Sequence, residues 1–393
     1  MTHGRWVACA LSLAAMLPAG ARADAYRLRA EALGQTRDGT GLINLDARGE
    51  AQRWIAAEAS VWAGTGLETD ADVLVVLVRA RDPGGRGEAQ IGRFVWVPGA
   101  LRPVHMDGVA GRLRLPAGFA LEVFGGLPVQ PDTEEPTSFD WLAGARVSRQ
   151  LGDWGSAGVA YMQRRDDGFV SDEEIGFDAG ASVASFLDLA GRLAWDLVDP
   201  GLAEVHLSAI AHDGPWRAEV FAQQRSPSRL LPASSLFSVL GDVPSRHGGG
   251  SIRWRAAPRL DVSATLGMRL VGDDVGESLT GGATLRLDDE GAGALGLEAR
   301  REGVEGGAWT GIRALARIAI APRLRTGVEV ELVRPDEPDG RGDLWPWGLV
   351  SLTWLPADGW QVSGAVLATS TPQYVRRTDA LVRVAYTWEA RAR

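Results

Sequence analysis

Along almost the whole chain, apolar and polar residues alternate with a period of two rather than at helical spacing. The clearest run lies between residues 260 and 270. There Val262, Ala264, Leu266, Met268 and Leu270 fall on one side, and Asp261, Ser263, Thr265 and Arg269 on the other. A strand with one apolar and one wet face requires this pattern, because successive side chains point to opposite faces. The same alternation recurs through 205–211, 216–222, 312–320, 328–332, 360–368 and 382–388.

The connections between these strands fall into two alternating classes. One class is tight: 115–118, 152–155, 185–188, 212–215, 257–259, 288–291, 321–323 and 356–359. Between its members lie longer polar stretches at 127–138, 166–174, 226–248, 271–278, 301–308, 334–343 and 370–379, with 199–201 the short exception. Tight turns on one rim and long loops on the other are the layout of a transmembrane β-barrel. Counting back from Trp388 to Glu88 gives eighteen strands, and residues 25–82 hold up to four more. The expected fold is therefore all-β, a transmembrane antiparallel up-and-down barrel of 18 to 22 strands with short periplasmic turns and longer extracellular loops. An even number places both termini on the tight-turn side.

Tryptophan adds a second line of argument, since a membrane barrel anchors both interfaces with aromatic girdles. Trp154, Trp216, Trp254, Trp354, Trp360 and Trp388 lie in or near tight turns, and Trp62, Trp96, Trp141, Trp195, Trp309, Trp345 and Trp347 at strand ends beside the other rim. A soluble sandwich would show no alternation of loop length and would not carry so many arginines on its inner face. A propeller would show a blade-length repeat, and the chain has none.

The N-terminus reads as a leader. Residues 1–5 carry one Arg and no acid, 6–17 form an apolar run of twelve, and Ala21-Arg22-Ala23 is a small-x-small cleavage site. The apolar run is too short to cross a bilayer, which takes about 20 residues. The expected organisation is a signal peptide over 1–23 and one barrel domain over 24–393. Cleavage would remove the single Cys, Cys9, leaving no disulfide or thiol chemistry. It would also remove Arg5 and Arg22 and no acid, so the net charge of -9 would become -11. All 41 cations are Arg, against 50 acids. That balance argues against nucleic acid as a partner, because a nucleic-acid binder needs a basic face.

If the apolar face meets lipid, the polar face lines the lumen. By phase it carries Arg112, Arg114, Arg217, Arg253, Arg255, Arg269, Arg300, Arg313, Arg317 and Arg383, with Glu204, Glu219, Asp261, Glu298, Glu329 and Glu331. Guanidinium forks bind carboxylate, phosphate and sulfate in bidentate fashion and stack on flat faces, so this wall suits anionic or hydroxyl-rich solutes. Equally, Arg and Glu on adjacent strands can neutralise each other and keep the lumen wet. Segment 226–248 is long and apolar for a solvated loop. Its Arg229, Leu230, Leu231, Leu236, Phe237 and Leu240 are expected to fold inward as a constriction, or to meet a partner. Chemistry-bearing constellations are sparse. His206 and Ser208 share a strand face, but by phase that face is the lumen, so neither catalysis nor a metal or other cofactor is expected.

The chain as a whole resembles bacterial outer-membrane β-barrels of the porin kind. Gly92-Arg93-Phe94, through Gly99-Ala100-Leu101-Arg102-Pro103 to Asp107-Gly108-Val109, resembles the strand-loop-strand of substrate-selective porins. Ser228-Arg229-Leu230-Leu231-Pro232, with Leu240-Gly241-Asp242, is similar to exopolysaccharide-export barrels. The resemblance implies a non-enzymatic, multi-pass channel of the Gram-negative outer membrane. It would pass a hydrophilic solute or polymer, in its sharpest form a polysaccharide in export. Outer-membrane lipid, a periplasmic export protein and the polysaccharide would be its partners. The competing expectation is a non-conducting scaffold or adhesin within an envelope-spanning complex.

Overall fold

The computed structural model describes residues 25–36, 40–52, 54–65, 69–129, 140–225, 245–271, 274–289, 292–303, 307–337, 343–371 and 374–391. The strands are Ala25–Gln35 (β1), Gly41–Gln52 (β2), Ile55–Thr65 (β3), Thr69–Arg81 (β4), Gly87–Trp96 (β5), Val104–Arg114 (β6), Phe119–Pro128 (β7), Trp141–Leu151 (β8), Gly155–Asp166 (β9), Phe169–Ala184 (β10) and Leu187–Asp196 (β11). They continue with Gly201–Asp213 (β12), Trp216–Arg225 (β13), Ser245–Ala257 (β14), Leu260–Val271 (β15), Asp274–Arg286 (β16), Ala294–Gly303 (β17), Trp309–Ala321 (β18), Leu324–Pro335 (β19), Trp345–Trp354 (β20), Trp360–Thr371 (β21) and Tyr374–Arg391 (β22).

Each strand pairs antiparallel with its sequence neighbours, and β1 pairs with β22 from Ala25 opposite Arg391 to Gln35 opposite Leu381. The sheet is thus a closed up-and-down barrel of 22 strands, at the top of the expected range. β1 begins and β22 ends on the rim of tight turns, the periplasmic rim in single-chain outer-membrane barrels.

Alternation sets the two faces. On β15, Leu266 and Met268 are 59% and 55% exposed, and Val220 on β13 reaches 66%. A continuous belt of exposed aliphatic side chains requires an apolar medium around it. Five of the tryptophans expected in girdles, Trp216, Trp254, Trp354, Trp360 and Trp388, point outward on the tight-turn rim. Trp216 and Trp254 stack at 5.1 Å between ring centroids. Trp62 and Trp96 do not join a girdle. Trp62 shares the inward face of Asn44, and Trp96 shares that of Val104 and packs against a buried cluster. Their parity along the strand sets them inside.

Three polar stretches expected as long loops are largely strand. β9 runs to Asp166 and β10 begins at Phe169, joined only by Asp167 and Gly168, with φ of 52° and 82°. Asp-Gly with both residues left-handed is the turn that matches hairpin twist. Likewise β16 begins at Asp274 and β22 at Tyr374. Polar residues there mark strand ends that rise past the lipid into water rather than breaks in the strand.

Gly92, Gly108 and Gly126 form a row across β5, β6 and β7, each directly opposite the next. A Cβ built on Gly108 would lie 2.7 Å from Gly126 Cα, and one on Gly126 2.5 Å from Gly108 Cα. Glycine lets the strands approach and bend sharply at this point. Gly108→Ala should lower the stability of the folded barrel by more than about 1 kcal/mol. Gly281→Ala, where an added Cβ meets nothing within 4 Å, should be neutral or stabilising. Urea midpoints of the heat-modifiable folded band on gels measure both, and equal midpoints would contradict the close-approach account.

Candidate functional site

The connection between β5 and β6, residues 97–103, turns into the barrel instead of standing above it. Pro98 is fully buried, and Ala100 and Leu101 are each 3% exposed. Gly99 adopts φ +64°, and a Cβ there would fall 2.5 Å from Arg146 Nε on the inner wall. Leu101 and Ala100 lie against Gly176 of β10, whose missing side chain leaves room for them. Arg102 holds the end of this strap through Glu174 at 3.2 Å and Asp172 at 3.5 Å. Beneath the strap, Leu77, Phe94, Met106, Phe124, Leu142 and Met162 form a buried apolar cluster on the inner wall. One sector of the barrel therefore has an apolar inner face, and the strap seals it from water.

The rest of the wall is charged. Arg146 bridges Glu122 at 3.0 Å and Asp178 at 2.6 Å, and Arg112 reaches Glu122 at 3.5 Å. Arg192 pairs with Glu204 at 2.7 Å. Asp261 receives Arg253 at 3.1 Å, Arg286 at 3.4 Å and Arg255 at 3.8 Å. Arg300 pairs with Glu298 at 3.2 Å and with Glu331, Arg313 pairs with Glu329, and Arg383 with Glu31. Arg114, Arg217, Glu219, Arg269 and Arg317 share this inward face by register. They carry no ion pair among the described residues. Residues Arg229, Leu230, Leu231, Leu236, Phe237 and Leu240, expected as a constriction, lie outside the described residues.

Trp309, Trp345 and Trp347 at the long-connection rim, expected in the outer girdle, also face inward. Trp309 is opposite Glu302, Trp345 opposite Val333 and Trp347 opposite Glu331. The Arg300 guanidinium lies over the Trp309 ring at 5.5 Å from its centroid. Lipid-facing neighbours on the same strands, Ile312 on β18 and Val350 on β20, are of opposite parity. That parity was the sequence signal for the inward position. The strap had a signal too, since Val97-Pro98-Gly99-Ala100-Leu101 carries no charge although it connects two strands at a rim.

His206 faces inward opposite Arg192, with Ser208 two residues along on the same face. His105 instead points outward near the long-connection rim, with Nε2 2.9 Å from the Leu74 carbonyl. Close by, Arg93 forks onto Asp107 at 2.8 and 2.9 Å. Among the described residues, no group of three or more His, Cys, Asp or Glu side chains could hold a metal ion.

An engineered disulfide tests the strap. A Cβ on Gly176 would lie 3.3 Å from Ala100 Cβ, near disulfide range. Ala100→Cys with Gly176→Cys, in a chain carrying Cys9→Ala, should oxidise to an intrachain disulfide that changes gel mobility. Ala100→Cys with Gly248→Cys should not. Equal behaviour of the two pairs would place the strap elsewhere.

No protein-family model matches the chain, and no curated protein matches it. Solved structures do. The ferric enterobactin receptor PfeA from Pseudomonas aeruginosa superposes with a TM-score of 0.57 at 10% identity, over 94% of this chain and 81% of that one. The E. coli P pilus tip assembly intermediate PapC-PapD-PapK-PapG gives 0.54 at 10% identity over 94% of this chain, which spans only 62% of the matched one. The P pilus usher (PapC) translocation pore gives 0.50 at 8% identity, over 92% of this chain and 99% of that one. At such identities the likeness is one of fold. With its 22-strand closure and apolar exterior, the chain has the fold of outer-membrane β-barrels.

Proposed function

We propose that this barrel is a channel of the Gram-negative outer membrane that passes a hydrophilic polymer, a polysaccharide in export. Trp309, Trp345 and Trp347 on the inner face carry this reading, set beside Arg300, Glu302 and Glu331. Tryptophans that only anchored the barrel would face lipid. An inward indole offers its negative face to the C–H groups of a pyranose ring, while neighbouring guanidinium and carboxylate groups hydrogen-bond its hydroxyls. Because the wall charges are mostly paired across strands, they keep the lumen wet without a single dominating field. On this reading residues 1–23 are a cleaved leader, the polymer enters from a periplasmic export protein, and the barrel performs no catalysis. The strap over 97–103 narrows one side of the path and makes the remaining sector the route.

Proteoliposomes in sugars of graded size provide the test. The wild-type barrel should let mono- and disaccharides equilibrate, so that swelling is fast and slows with sugar size. Joint replacement of Trp309, Trp345 and Trp347 by Ala should shorten oligosaccharide block of single channels by on the order of a hundredfold, at about 1 kcal/mol per aromatic contact. Vesicles that fail to swell with any sugar would sink the channel reading and favour a scaffold or adhesin.

A further inference from the structure

Most inward charge of the barrel is paired across strands, but one sector of the tight-turn mouth is not balanced. There β13 carries Arg217, β14 carries Arg253 and Arg255, β16 carries Arg286, β18 carries Arg317 and β19 carries Arg325. Each lies within a few residues of the turn that ends its strand, and register places all six on the inward face. Among the described residues, Asp261, Glu219 and Glu329 are inward carboxylates beside these arginines, and Glu329 is paired with Arg313. Asp261 lies under Arg253, Arg255 and Arg286 with its side chain 11% exposed, while those of Arg253 and Arg255 are 62% and 61% exposed. Glu219 stands two residues above Arg217 on the same strand face. In the neighbouring turn, Asp288 accepts the backbone N–H groups of Ala292 and Gly293, and Asp289 binds Arg259. These acids are already engaged.

Arg217 stands directly opposite Arg253, a like-charge pairing that destabilises a sheet unless an anion lies between. Arg217, Arg317 and Arg325 have no ion pair among the described residues. From β13 to β19 the arc crosses six strand spacings, roughly 29 Å at about 4.8 Å each. A single small anion would need one corner of it; a chain several sugar rings long would span it. The arc also adjoins the sector of β18 and β20 that carries Trp309, Trp345 and Trp347.

We infer that this arginine arc at the periplasmic mouth is a binding site for an acidic polysaccharide, whose carboxylate groups take the free guanidinium forks in turn. The inference rests on the glycan reading of the lumen and names the class of glycan. Guanidinium supplies planar, permanently charged, bidentate recognition of carboxylate, and the lumen mouth is wet enough for exchange.

Titration calorimetry of the full barrel in detergent tests it. The probes are oligogalacturonates of two to six residues and malto-oligosaccharides of the same lengths. Oligogalacturonate should bind more tightly as it lengthens and more weakly as salt rises, since these contacts are screened. Arg217→Gln with Arg253→Gln and Arg255→Gln should weaken the hexamer at least tenfold and change maltohexaose less than twofold. The exposed, unpaired pair Arg317→Gln with Arg325→Gln should weaken the hexamer several-fold and leaves the Asp261 cluster intact, so a folding defect cannot mimic the result. Equal binding of acidic and neutral chains, or affinity independent of length, overturns the arc while leaving the channel reading standing. No binding of oligogalacturonate also overturns it, whatever the swelling assay shows. Tighter binding of hexaglutamate than of the glycan would assign the arc to an acidic protein segment and overturn the inference as well.

Discussion

Everything in this molecule follows from the rule that no backbone N–H or C=O can be left unpaired in hydrocarbon, where each such group costs several kcal/mol. A sheet meets that rule only by closing. The β1 to β22 ladder, from Ala25 opposite Arg391 to Gln35 opposite Leu381, removes the two edges that 22 strands would otherwise expose. Once the sheet is closed, strand parity decides every side chain's medium. Even positions on β15 such as Val262 and Leu266 meet lipid, and odd ones such as Asp261 and Thr265 face the interior. The interior is therefore a property of the whole ladder, and one slipped strand would invert part of it.

Closure also explains why the lumen has two unlike sectors. Over the apolar inner cluster, an inner wall of Phe94, Met106, Phe124 and Met162 would be wet if left bare, and the strap covers it. The strap can do so because Gly99 and Gly176 have no side chains to hold it away, and because Arg102 ends on Glu174. Across the lumen, the wall keeps its charges in cross-strand pairs such as Arg313 with Glu329, and exposes indole faces towards the outer end and guanidinium groups towards the inner one. The first sector narrows the barrel; the second offers a polymer something to hold.

Much of this was legible in the residues. Alternation and turn length predict a barrel of 18 to 22 strands, and the structure has 22. Strand faces followed from parity wherever a run of aliphatic residues marked the lipid side. Trp62, Trp96, Trp309, Trp345 and Trp347 face inward and not into a girdle, because parity and not height along the strand sets the medium of an aromatic near a rim; Ala59 and Val61 already fix the outward phase of β3. Stretches such as 166–174 looked like loops because polarity was equated with irregularity, whereas a strand that leaves the membrane turns polar and stays a strand. The strap was not predictable from periodicity, since its seven residues form no repeat. Its inward course depends on Gly176 and Arg146, which are distant in sequence. The arginine arc was visible only as separate inward positions, because which of them adjoin is set by register.

The central claim is that one face of each strand meets lipid and the other meets water. Spin labels placed one at a time at positions 261 to 269 of β15, in the reconstituted barrel, test it through collision rates with oxygen and with a water-soluble nickel chelate. Oxygen collisions should peak at 262, 264, 266 and 268, and nickel collisions at 261, 263, 265 and 269, in antiphase with a period of two. Uniform access of the nickel reagent along the strand, with no alternation, would mean that the apolar face meets water and would contradict the account.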